Sequence, residues 1–503
     1  MSKIKEFPFH TFLFSVYVVL FIYTQNISQV TLSMTYRTLI VSFIFTVLVY
    51  SLTYLVYKNK EKTGVFCTLF LLIVFSYGAV YNKVEVLYYR GLFPFSNIHR
   101  YLFLIFGVSY IVLFYWILKS KRTFFKFNYF LNVFVLVIIF INIISIFRYN
   151  FSKHSIGKEF QNPFLENVKN TIVINDVKAK TGTDLPDIYY IILDGYGRND
   201  ILKKYYNFDN SGFSNFLKSK GFYIADSSQT NYPYTSKSLA SSLNLNYVDK
   251  ELVDTLISDQ ELISQNYLSY YLKQKGYKII CSESGYAITK FFDFADVTIK
   301  HGGLNEFERS IMELTILRLD DLLGISTYTT LKGVIKGLDQ IEAQPSPKFS
   351  FIHIVAPHPP YVFNKNGSFN TKKSFGHAFW EPRNDYIAQL EYINSVIEKF
   401  ITGIIKNTKI QPIIVLQSDH GPWIADISED NVYSARCEIL NAYLVPQKCK
   451  INSYPTISPV NSFRIVLNEL FDLKLKILLD VAPNEMELKS NYKFQKILRV
   501  EQK

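Results

Sequence analysis

The sequence predicts a protein in two parts: a region of five transmembrane helices, followed by an α/β domain whose mostly parallel sheet lies between helix layers. Two observations indicate this organisation. Before about residue 150 the chain is almost continuously apolar and aromatic, whereas after it charged and polar residues return at the density of a soluble domain. From residue 187 onward, short apolar runs alternate with helical patterns, which is typical of a parallel sheet covered by helices.

The apolar region contains five runs long enough to cross a bilayer, whose ~30 Å hydrocarbon core takes about 20 helical residues. None of the runs contains an acidic residue. A cleaved signal peptide is a poor alternative for the first run, because no small-residue cleavage site follows it and further spans come after it. The predicted spans cover approximately residues 9–26, 38–57, 64–82, 101–118 and 128–147.

The basic residues between these spans predict which side of the membrane each loop faces. If the N-terminus is cytoplasmic, the cytoplasmic segments hold more Lys and Arg than the outer loops, as the positive-inside rule requires. An odd number of spans then places the chain after Phe147 outside the cytoplasm, so we expect a multi-pass protein of the cell (inner or cytoplasmic) membrane with an extracytoplasmic domain. The inner segments carry Lys3, Lys5, Lys58, Lys60, Lys62, Lys119, Lys121, Arg122 and Lys126, and the outer loops carry Arg37, Lys83, Arg90 and Arg100.

Charge and cysteine content exclude other classes of protein. The net charge of +12 does not indicate nucleic-acid binding, because the basic residues are scattered and many of them flank apolar spans. None of the spans has a cluster of ionisable residues, which argues against a transporter. Outside the spans, Cys281, Cys437 and Cys449 show no close spacing. A disulfide framework is therefore not expected, although one long-range disulfide stays open.

The polar half divides into a linker at 148–186, a domain at 187–485 and a polar tail at 486–503. The linker could include a short interfacial helix. Within the domain, chemistry is expected at the carboxyl ends of the parallel strands. The predicted strands are Ile188–Leu193, Tyr277–Cys281, Phe349–Val355 and Ile413–Gln417, and the predicted helices lie near 212–220, 264–275, 304–321 and 383–408, with a closing strand near 440–446 and a helix near 459–471.

Carboxylate and imidazole side chains follow two of these strands. Asp194 and a glycine end the first strand, where a metal ligand and a helix-capping aspartate are about equally good interpretations. Asp419 and His420 follow the last strand and precede Gly421, which lets both side chains turn toward one cation. This mixture of oxygen and nitrogen ligands suits Zn²⁺ or Mn²⁺. The two strand ends together favour a metal site over a structural turn.

Two other segments could supply catalytic groups. A hydroxyl-rich turn, Thr235-Ser236-Lys237-Ser238, precedes a helical stretch whose dipole would favour an alkoxide nucleophile, although Ser and Thr are also ordinary N-cap residues. His358 follows the Phe349–Val355 strand in a proline-rich turn, from which it could protonate a leaving group or bind an anionic oxygen. His353, inside that strand, is interpreted as a buried structural histidine.

These segments, in this order along the chain, resemble the sulfatase-like branch of the alkaline phosphatase superfamily over about residues 187–475. Five spans before such a domain are similar to the lipoteichoic acid synthases and the lipid A phosphoethanolamine transferases. The resemblance implies one divalent metal ion, Zn or Mn, bound by Asp194, Thr235, Asp419 and His420. It also implies Thr235 as a covalent nucleophile, since the Thr-Ser-x-Ser run is similar to that around the synthase nucleophile.

The sequence also departs from the family pattern. It lacks a Cys-x-Pro-x-Arg segment, the site of formylglycine in true sulfatases, so sulfate-ester hydrolysis is disfavoured. Asn394 stands where relatives often have an aspartate, and a second set of metal ligands is not evident. Lys237, Arg198, His301 and His377 could contact a substrate, but the favoured interpretation of each is an ordinary surface residue.

The function predicted from these observations is the transfer of a phosphorus-containing head group, of phosphoethanolamine or phosphoglycerol type, from a membrane lipid to a cell-surface glycan or lipid. Thr235 and His358 are the predicted catalytic residues. A phosphodiesterase or sulfuric-ester-type hydrolase with water as acceptor is one alternative. A non-catalytic membrane protein that retains the fold is another.

Overall fold

The computed structural model describes residues 7–27, 30, 32–89, 98–155, 185–248, 258–290, 292–318, 324–371, 380, 382–424, 428–446 and 454–480. These residues form two compact units. The helical unit contains the described residues up to Glu159 and those of Leu304–Leu322. The α/β unit contains the described residues of Phe160–Gly303 and Leu323–Tyr492. Most of the predicted linker and the whole predicted tail at 486–503 lie outside the described residues.

The helical unit is built from apolar helices at the positions of the predicted spans. Four of these helices are long and apolar enough to cross a membrane. The first helix has 16 residues, fewer than the ~20 that a bilayer core takes, so the prediction of five spans is not confirmed. The helices are α1 (His10–Gln25), α2 (Tyr36–Tyr57), α3 (Lys60–Tyr89), α4 (Ile98–Lys119) and α5 (Phe125–Ser155).

A buried polar cluster joins α1, α3 and α5 inside this unit; we call it the His10 cluster. Nε2 of His10 donates to Asn128 Oδ1 at 2.7 Å, and Thr68 Oγ1 lies 2.7 Å from the other ring nitrogen. The His10 backbone N–H donates to Asn132 Oδ1 at 2.9 Å, and Thr11 Oγ1 donates to Gly64 O at 3.1 Å. Polar side chains that pair across helices in this way stabilise helix association in a membrane.

The residues of Leu304–Leu322 pack on the ends of these helices; we call them the α11 segment. Arg37 Nε and Nη2 donate to the Glu308 carboxylate, and Gly78 N–H donates to Leu314 O at 2.9 Å. The Arg318 guanidinium lies 4.0 Å from the centre of the Tyr81 ring. The segment is therefore part of the helical unit, although its neighbours in sequence belong to the α/β unit.

A single helix over 304–321 is not observed in this segment. Helix α11 spans Glu306–Glu313 and begins with a capping box between Asn305 and Glu308. Thr315 Oγ1 donates to Met312 O at 2.9 Å and accepts from Leu317 N–H at 3.0 Å, and a 3₁₀ turn follows at Ile316–Arg318. The α-helix ends here because this side chain competes for backbone groups.

The α/β unit contains a seven-stranded sheet of order β2-β7-β6-β1-β5-β3-β4. Strands β6, β1, β5, β3 and β4 are parallel, whereas β7 is antiparallel to both of its neighbours. The predicted mostly parallel sheet is thus confirmed, with a mixed edge. The strands are β1 (Ile188–Leu193), β2 (Tyr223–Ile224), β3 (Lys278–Ser282), β4 (Val297–Ile299), β5 (Lys348–Ile354), β6 (Ile413–Gln417) and β7 (Asn441–Leu444).

Helices cover both faces of this sheet. Side chains of successive strand residues point to opposite faces, so one strand packs against helices on both sides. The helices are α6 (Asn199–Tyr206), α7 (Ser211–Ser219), α8 (Thr235–Asn244), α9 (Asp259–Ser264), α10 (Tyr267–Gln274), α12 (Ile325–Glu342), α13 (Arg383–Asn407), α14 (Glu429–Cys437) and α15 (Pro459–Phe471). Tyr190 and Ile192 of β1 pack with α8, α9, α10 and α15, and Tyr189 and Ile191 pack with α6, α7, α12 and α13.

Candidate metal and catalytic site

Two adjacent parallel strands at the centre of the sheet, β1 and β6, present polar residues at their carboxyl ends. Asp194 follows β1, while Asp419 and His420 follow its neighbour β6. Because these strands are parallel and paired, their carboxyl ends meet at one edge. Ligand atoms of Asp194, Asp419 and His420 all lie within 4.8 Å of one another, and the three residues are buried. We call these three residues the His420 cluster.

The backbone around this cluster fixes one carboxylate oxygen and leaves the others facing inward. Asp419 Oδ1 accepts from Gly195 N–H at 3.1 Å and from His420 N–H at 2.9 Å. Asp419 Oδ2 and Asp194 Oδ1 are buried and have no hydrogen-bond partner. Buried polar atoms are nearly always paired, so two unpaired carboxylate oxygens at one point call for an additional group.

The pKa values in the cluster reflect this crowding. Burial and the nearby Asp194 carboxylate raise the pKa of Asp419 above its usual range. Burial alone would also raise the pKa of Asp194, but His358 and contacts with His353 and His420 hold it below its usual value. Two carboxylates this close repel each other when both are ionised, and a bound cation would remove that repulsion.

His420 is held with one nitrogen directed at the carboxylates. Its Nδ1 donates to Gly421 O at 3.0 Å, so the lone pair of the neutral ring is on Nε2. Nε2 lies 3.6 Å from Asp194 Oδ1 and 3.5 Å from Asp419 Oδ2. Burial, followed by the Arg436 charge, lowers the pKa of His420 well below its usual value, so the ring stays neutral. One imidazole nitrogen and two carboxylates fit a divalent cation such as Zn²⁺ or Mn²⁺.

Thr235, the first residue of α8, lies beside this cluster. Its Oγ1 is 3.3 Å from His420 Nε2, and the side chain is 9% exposed. The neighbouring hydroxyls are engaged elsewhere: Ser236 Oγ donates to Asp259 Oδ2 at 2.7 Å, and Ser238 Oγ lies 3.0 Å from Thr230 Oγ1. Of the four residues in the hydroxyl-rich turn, Thr235 therefore has the hydroxyl that faces the cluster.

His358, which follows β5, also lies near the cluster. Its ring centre is 6.1 Å from that of His420, and its Nδ1 donates to Pro359 O at 2.7 Å. The His358 backbone N–H donates to Asp194 O at 3.0 Å. The turn after β5 is thus tied directly to the turn after β1, which carries a candidate ligand.

Three further residues lie at the site, although the sequence did not indicate a role for them there. His353 is fully buried as predicted, but its Nε2 lies 3.4 Å from Asp194 Oδ2 and its Nδ1 lies 2.8 Å from Thr289 Oγ1. The sequence feature that could have indicated its role is a histidine within an otherwise apolar strand. Trp380 lies 4.8 Å from His358 between ring centres, and Arg436 Nη2 lies 3.1 Å from His420 Nε2. Neither of these two residues follows a predicted strand.

Other residues considered in the sequence have partners away from this cluster. Arg198 pairs with Asp200 at 2.7 Å and with Glu438 at 3.3 Å. His301 Nε2 lies 3.6 Å from Glu283 Oε2. Asn394 accepts from Tyr196 Oη at 2.7 Å, so this position of α13 supports a neighbouring turn. His377 lies outside the described residues.

The fold and this cluster define an α/β protein with a candidate metal centre at the carboxyl edge of its sheet. The family model described as Sulfatase matches residues 186–446, which is more than half of the chain. The chain therefore belongs to the sulfatase family, and the predicted membership in the sulfatase-like branch of the alkaline phosphatase superfamily is confirmed. No curated protein matches the chain.

Several solved structures are similar to parts or most of the chain. The C-terminal periplasmic domain of EcEptC from Escherichia coli, in complex with Zn, is 16% identical and covers 58% of this chain and 84% of its own, with a TM-score of 0.42. The integral membrane lipooligosaccharide phosphoethanolamine transferase A (EptA) from Neisseria meningitidis is 12% identical, and the match covers 92% of this chain and 95% of EptA, with a TM-score of 0.39. The C-terminal periplasmic domain of phosphoethanolamine transferase EptC from Campylobacter jejuni is 13% identical, and the match covers 58% of this chain and 91% of that domain, with a TM-score of 0.37.

Proposed function

We propose that the chain is a membrane-anchored, metal-dependent transferase. It moves a phosphorus-containing head group, of phosphoethanolamine or phosphoglycerol type, from a membrane lipid to a cell-surface glycan or lipid. The observation that carries this proposal is the convergence of a helix-terminal hydroxyl, Thr235, on the buried His420 cluster at a distance of 3.3 Å. A nucleophilic hydroxyl beside a cation site is the arrangement that covalent phosphoryl transfer needs.

The cation would be held by Asp194, Asp419 and His420, with Thr235 as a fourth ligand. When bound, it would act as a Lewis acid that favours the ionised Thr235 hydroxyl and offsets negative charge on the substrate. The unpaired oxygens of Asp194 and Asp419 support this ligand set. The lone pair on His420 Nε2, fixed by the Nδ1 contact with Gly421 O, supports it as well; a bound cation would replace the Arg436 Nη2 donor that lies 3.1 Å from this nitrogen.

The proposed reaction has two displacement steps at phosphorus. Thr235 Oγ1 loses its proton to solvent and forms a bond to phosphorus, while the bond from phosphorus to the lipid alcohol breaks. The departing alkoxide takes a proton from His358, which lies beside the cluster. An acceptor hydroxyl then gives its proton to His358 and attacks the same phosphorus. The bond from phosphorus to Thr235 breaks, and that oxygen regains a proton from solvent.

The helices of the helical unit would keep the enzyme beside its lipid donor. We infer that α1 crosses the membrane as a fifth span, with residues 7–9 extending its 16 residues, because the His10 cluster pairs it with α3 and α5. Five spans with a cytoplasmic N-terminus place the α/β unit outside the cytoplasm, in agreement with the distribution of Lys and Arg.

The proposal can be tested with the full chain reconstituted in vesicles that contain radiolabelled phosphatidylethanolamine or phosphatidylglycerol, with Mn²⁺ or Zn²⁺ added. We expect release of diacylglycerol and a head-group adduct on the peptide that contains Thr235, measured by mass spectrometry. Thr235→Ala should remove the adduct and lower diacylglycerol release by ~10³-fold or more, as loss of a nucleophile does in other enzymes.

Ser236→Ala is the matched control, because this hydroxyl bonds to Asp259 and should be dispensable for transfer. Diacylglycerol release without an acceptor, at a rate that an added glycan does not change, would favour the hydrolase alternative. An unmodified Thr235 peptide together with equal diacylglycerol release by Thr235→Ala and wild type would refute the covalent mechanism. No diacylglycerol release by either protein would favour a non-catalytic protein.

A further inference from the structure

Arg436 reaches from the last turn of α14 to the His420 cluster. Its Nε donates to Pro233 O at 3.1 Å, and its Nη1 donates to Gly421 O at 3.3 Å. Its Nη2 lies 3.1 Å from His420 Nε2. Two nitrogens of the guanidinium thus bind the backbone, and the third is directed at the candidate metal ligand.

The guanidinium is also fixed by aromatic rings. Its central carbon lies 5.5 Å from the centre of the Trp380 ring and 5.8 Å from that of Trp423. Arginine stacks well on aromatic faces and is weakly hydrated, so a partly buried position between rings suits it. These contacts limit the orientations that the Arg436 side chain can adopt.

The positions of its backbone partners connect Arg436 with both halves of the site. Pro233 lies just before the turn that carries Thr235, and Gly421 directly follows His420. Oγ1 of Thr235 and Nη2 of Arg436 lie at 3.3 Å and 3.1 Å from the same His420 nitrogen. The Thr235 hydroxyl and the Arg436 guanidinium therefore both lie beside His420 Nε2.

The charges at this point favour an anionic ligand for Arg436. A divalent cation would balance the Asp194 and Asp419 carboxylates, and a phosphodiester would then add a negative charge that the cluster itself does not offset. Guanidinium groups bind phosphoryl oxygens through short charge-assisted hydrogen bonds, and such bonds are strongest where water is excluded.

We propose that Arg436 is a catalytic residue that binds the nonbridging phosphoryl oxygens of the substrate at the His420 cluster. The inference rests on the proposed function. A purely structural role as a brace for backbone carbonyls is the competing interpretation. Arg464 illustrates that role, since its Nε donates to Leu245 O at 2.7 Å and its Nη1 donates to Lys476 O at 2.6 Å.

The test measures binding rather than turnover, on the full chain in detergent. Equilibrium dialysis gives the affinities for Mn²⁺ alone and for ³²P-labelled inorganic phosphate at saturating Mn²⁺. Arg436→Gln should weaken phosphate binding by about 10- to 100-fold, the usual effect of losing a hydrogen bond to a charged group. The same variant should bind Mn²⁺ about three- to tenfold more tightly, because a positive charge next to the metal ligand has been removed.

Weaker phosphate binding together with tighter Mn²⁺ binding would distinguish a substrate-binding Arg436 from a purely structural one. Arg436→Lys keeps the charge and should retain part of the phosphate affinity with little change in Mn²⁺ affinity. Arg464→Gln is the matched control, and it should change neither binding constant even if it lowers the melting temperature.

Each contrary result has a different meaning. If Arg436→Gln weakened Mn²⁺ and phosphate binding together, Arg436 would be a structural brace and the inference would be wrong. If it bound phosphate as wild type does, the inference alone would fail. If wild-type protein loaded with Mn²⁺ bound no phosphate, the proposed function would fail and the role of Arg436 with it.

Discussion

The His10 cluster and the His420 cluster each bury a histidine that is 1% exposed among polar side chains, but they differ in how fully their polar atoms are paired. Both ring nitrogens of His10 contact a side-chain oxygen at 2.7 Å. In the His420 cluster, Asp194 Oδ1 and Asp419 Oδ2 have no hydrogen-bond partner, and the charged group beside Nε2 of the adjacent His353 is Asp194 Oδ2, at 3.4 Å. Burial of polar groups is thus common to both regions, and unpaired atoms distinguish the candidate site.

The physical setting explains this difference. A membrane interior offers no water to an unpaired polar group, so a polar cluster among apolar helices persists only when its members bond one another. In the α/β unit, the turns after β1 and β6 bring two carboxylates together without an ion pair to Lys or Arg in the described contacts. Such an arrangement is unfavourable by itself and becomes favourable when a cation binds.

The largest expected effect comes from Asp419→Asn, which removes one of the two negative charges. The affinity for Mn²⁺ or Zn²⁺ should fall by at least ~100-fold, since even outer partners of metal ligands contribute 10- to 100-fold. Without metal, the melting temperature should rise by roughly 2–4 °C, the effect of about 1 kcal/mol in a domain of 150–250 residues, because carboxylate repulsion is relieved. Calorimetry with and without a chelator measures both effects.

Asp187→Asn provides the matched control for the rise in melting temperature that is expected of Asp419→Asn without metal. Asp187 is also buried, but it pairs with Lys348 at 3.2 Å. Its replacement leaves a buried ammonium without its counter-charge, so the melting temperature should fall with and without metal. If Asp419→Asn behaved in the same way, the contrast between a paired and an unpaired carboxylate would be refuted.

The next effects are losses of stability, which we expect when a glycine that contacts either cluster is replaced. A Cβ on Gly195 would lie 2.3 Å from the Trp380 ring, and its φ of +75° disfavours other residues. Gly195→Ala should cost about 3 kcal/mol and weaken metal binding, because Gly195 N–H holds Asp419. A Cβ on Gly64 would lie 2.3 Å from Pro8 Cβ. Gly64→Ala should cost about 1–3 kcal/mol with no change in metal binding.

Chemical unfolding monitored separately from metal binding distinguishes these variants. Gly212→Ala is the control, since a Cβ there meets no atom within 4 Å, and in a helix alanine should stabilise by up to ~1 kcal/mol. Equal loss of metal affinity in Gly64→Ala and Gly195→Ala would show that the two clusters are not independent.

The smallest effect is expected from His10→Ala, which removes the donor to Asn128 Oδ1 and leaves Thr68 Oγ1 with its contact to Thr11 Oγ1 at 3.2 Å. We expect a loss of about 1 kcal/mol, since hydrogen bonds between membrane helices contribute modestly. The triple replacement His10→Leu, Thr68→Val and Asn128→Leu should recover part of this loss, because it removes the unpaired Asn128 oxygen as well. Thermal unfolding in detergent measures both variants, and an altered Mn²⁺ affinity in either would contradict a purely structural role.

Two strands at the centre of the sheet, β1 and β6, could be predicted from the sequence to the residue, whereas β5 was predicted at Phe349–Val355 and lies at Lys348–Ile354. Ile188–Leu193 and Ile413–Gln417 are uninterrupted apolar runs that end at a polar residue, so their pattern depends little on tertiary context. By contrast, β2 has two residues and β4 has three, too few for any periodicity. Helix α12 was not predicted, because its first turns are rich in β-branched residues and it contains two glycines.

The same distinction applies to the candidate site. Asp194, Asp419 and His420 could be found because they directly follow predicted strands. Arg436 lies on a short helix and reaches the cluster through the packing of that helix, which leaves no local pattern. His353 has a visible position, but its role depends on the pairing of Ile192 with His353 between β1 and β5, which a single sequence does not specify.

The α11 segment also decides how the α/β unit could be prepared as a soluble protein. A fragment that starts at Leu185 would still contain Glu308, Leu314 and Arg318 but would lack the groups on α2 and α3 that bind them. The segment would then lose the hydrogen bonds that hold it in place. Gly303 and Gly324 flank the segment, so a short polar loop between these two glycines is the natural replacement. A soluble fragment of the α/β unit therefore requires replacement of this internal segment as well as removal of the N-terminal helices.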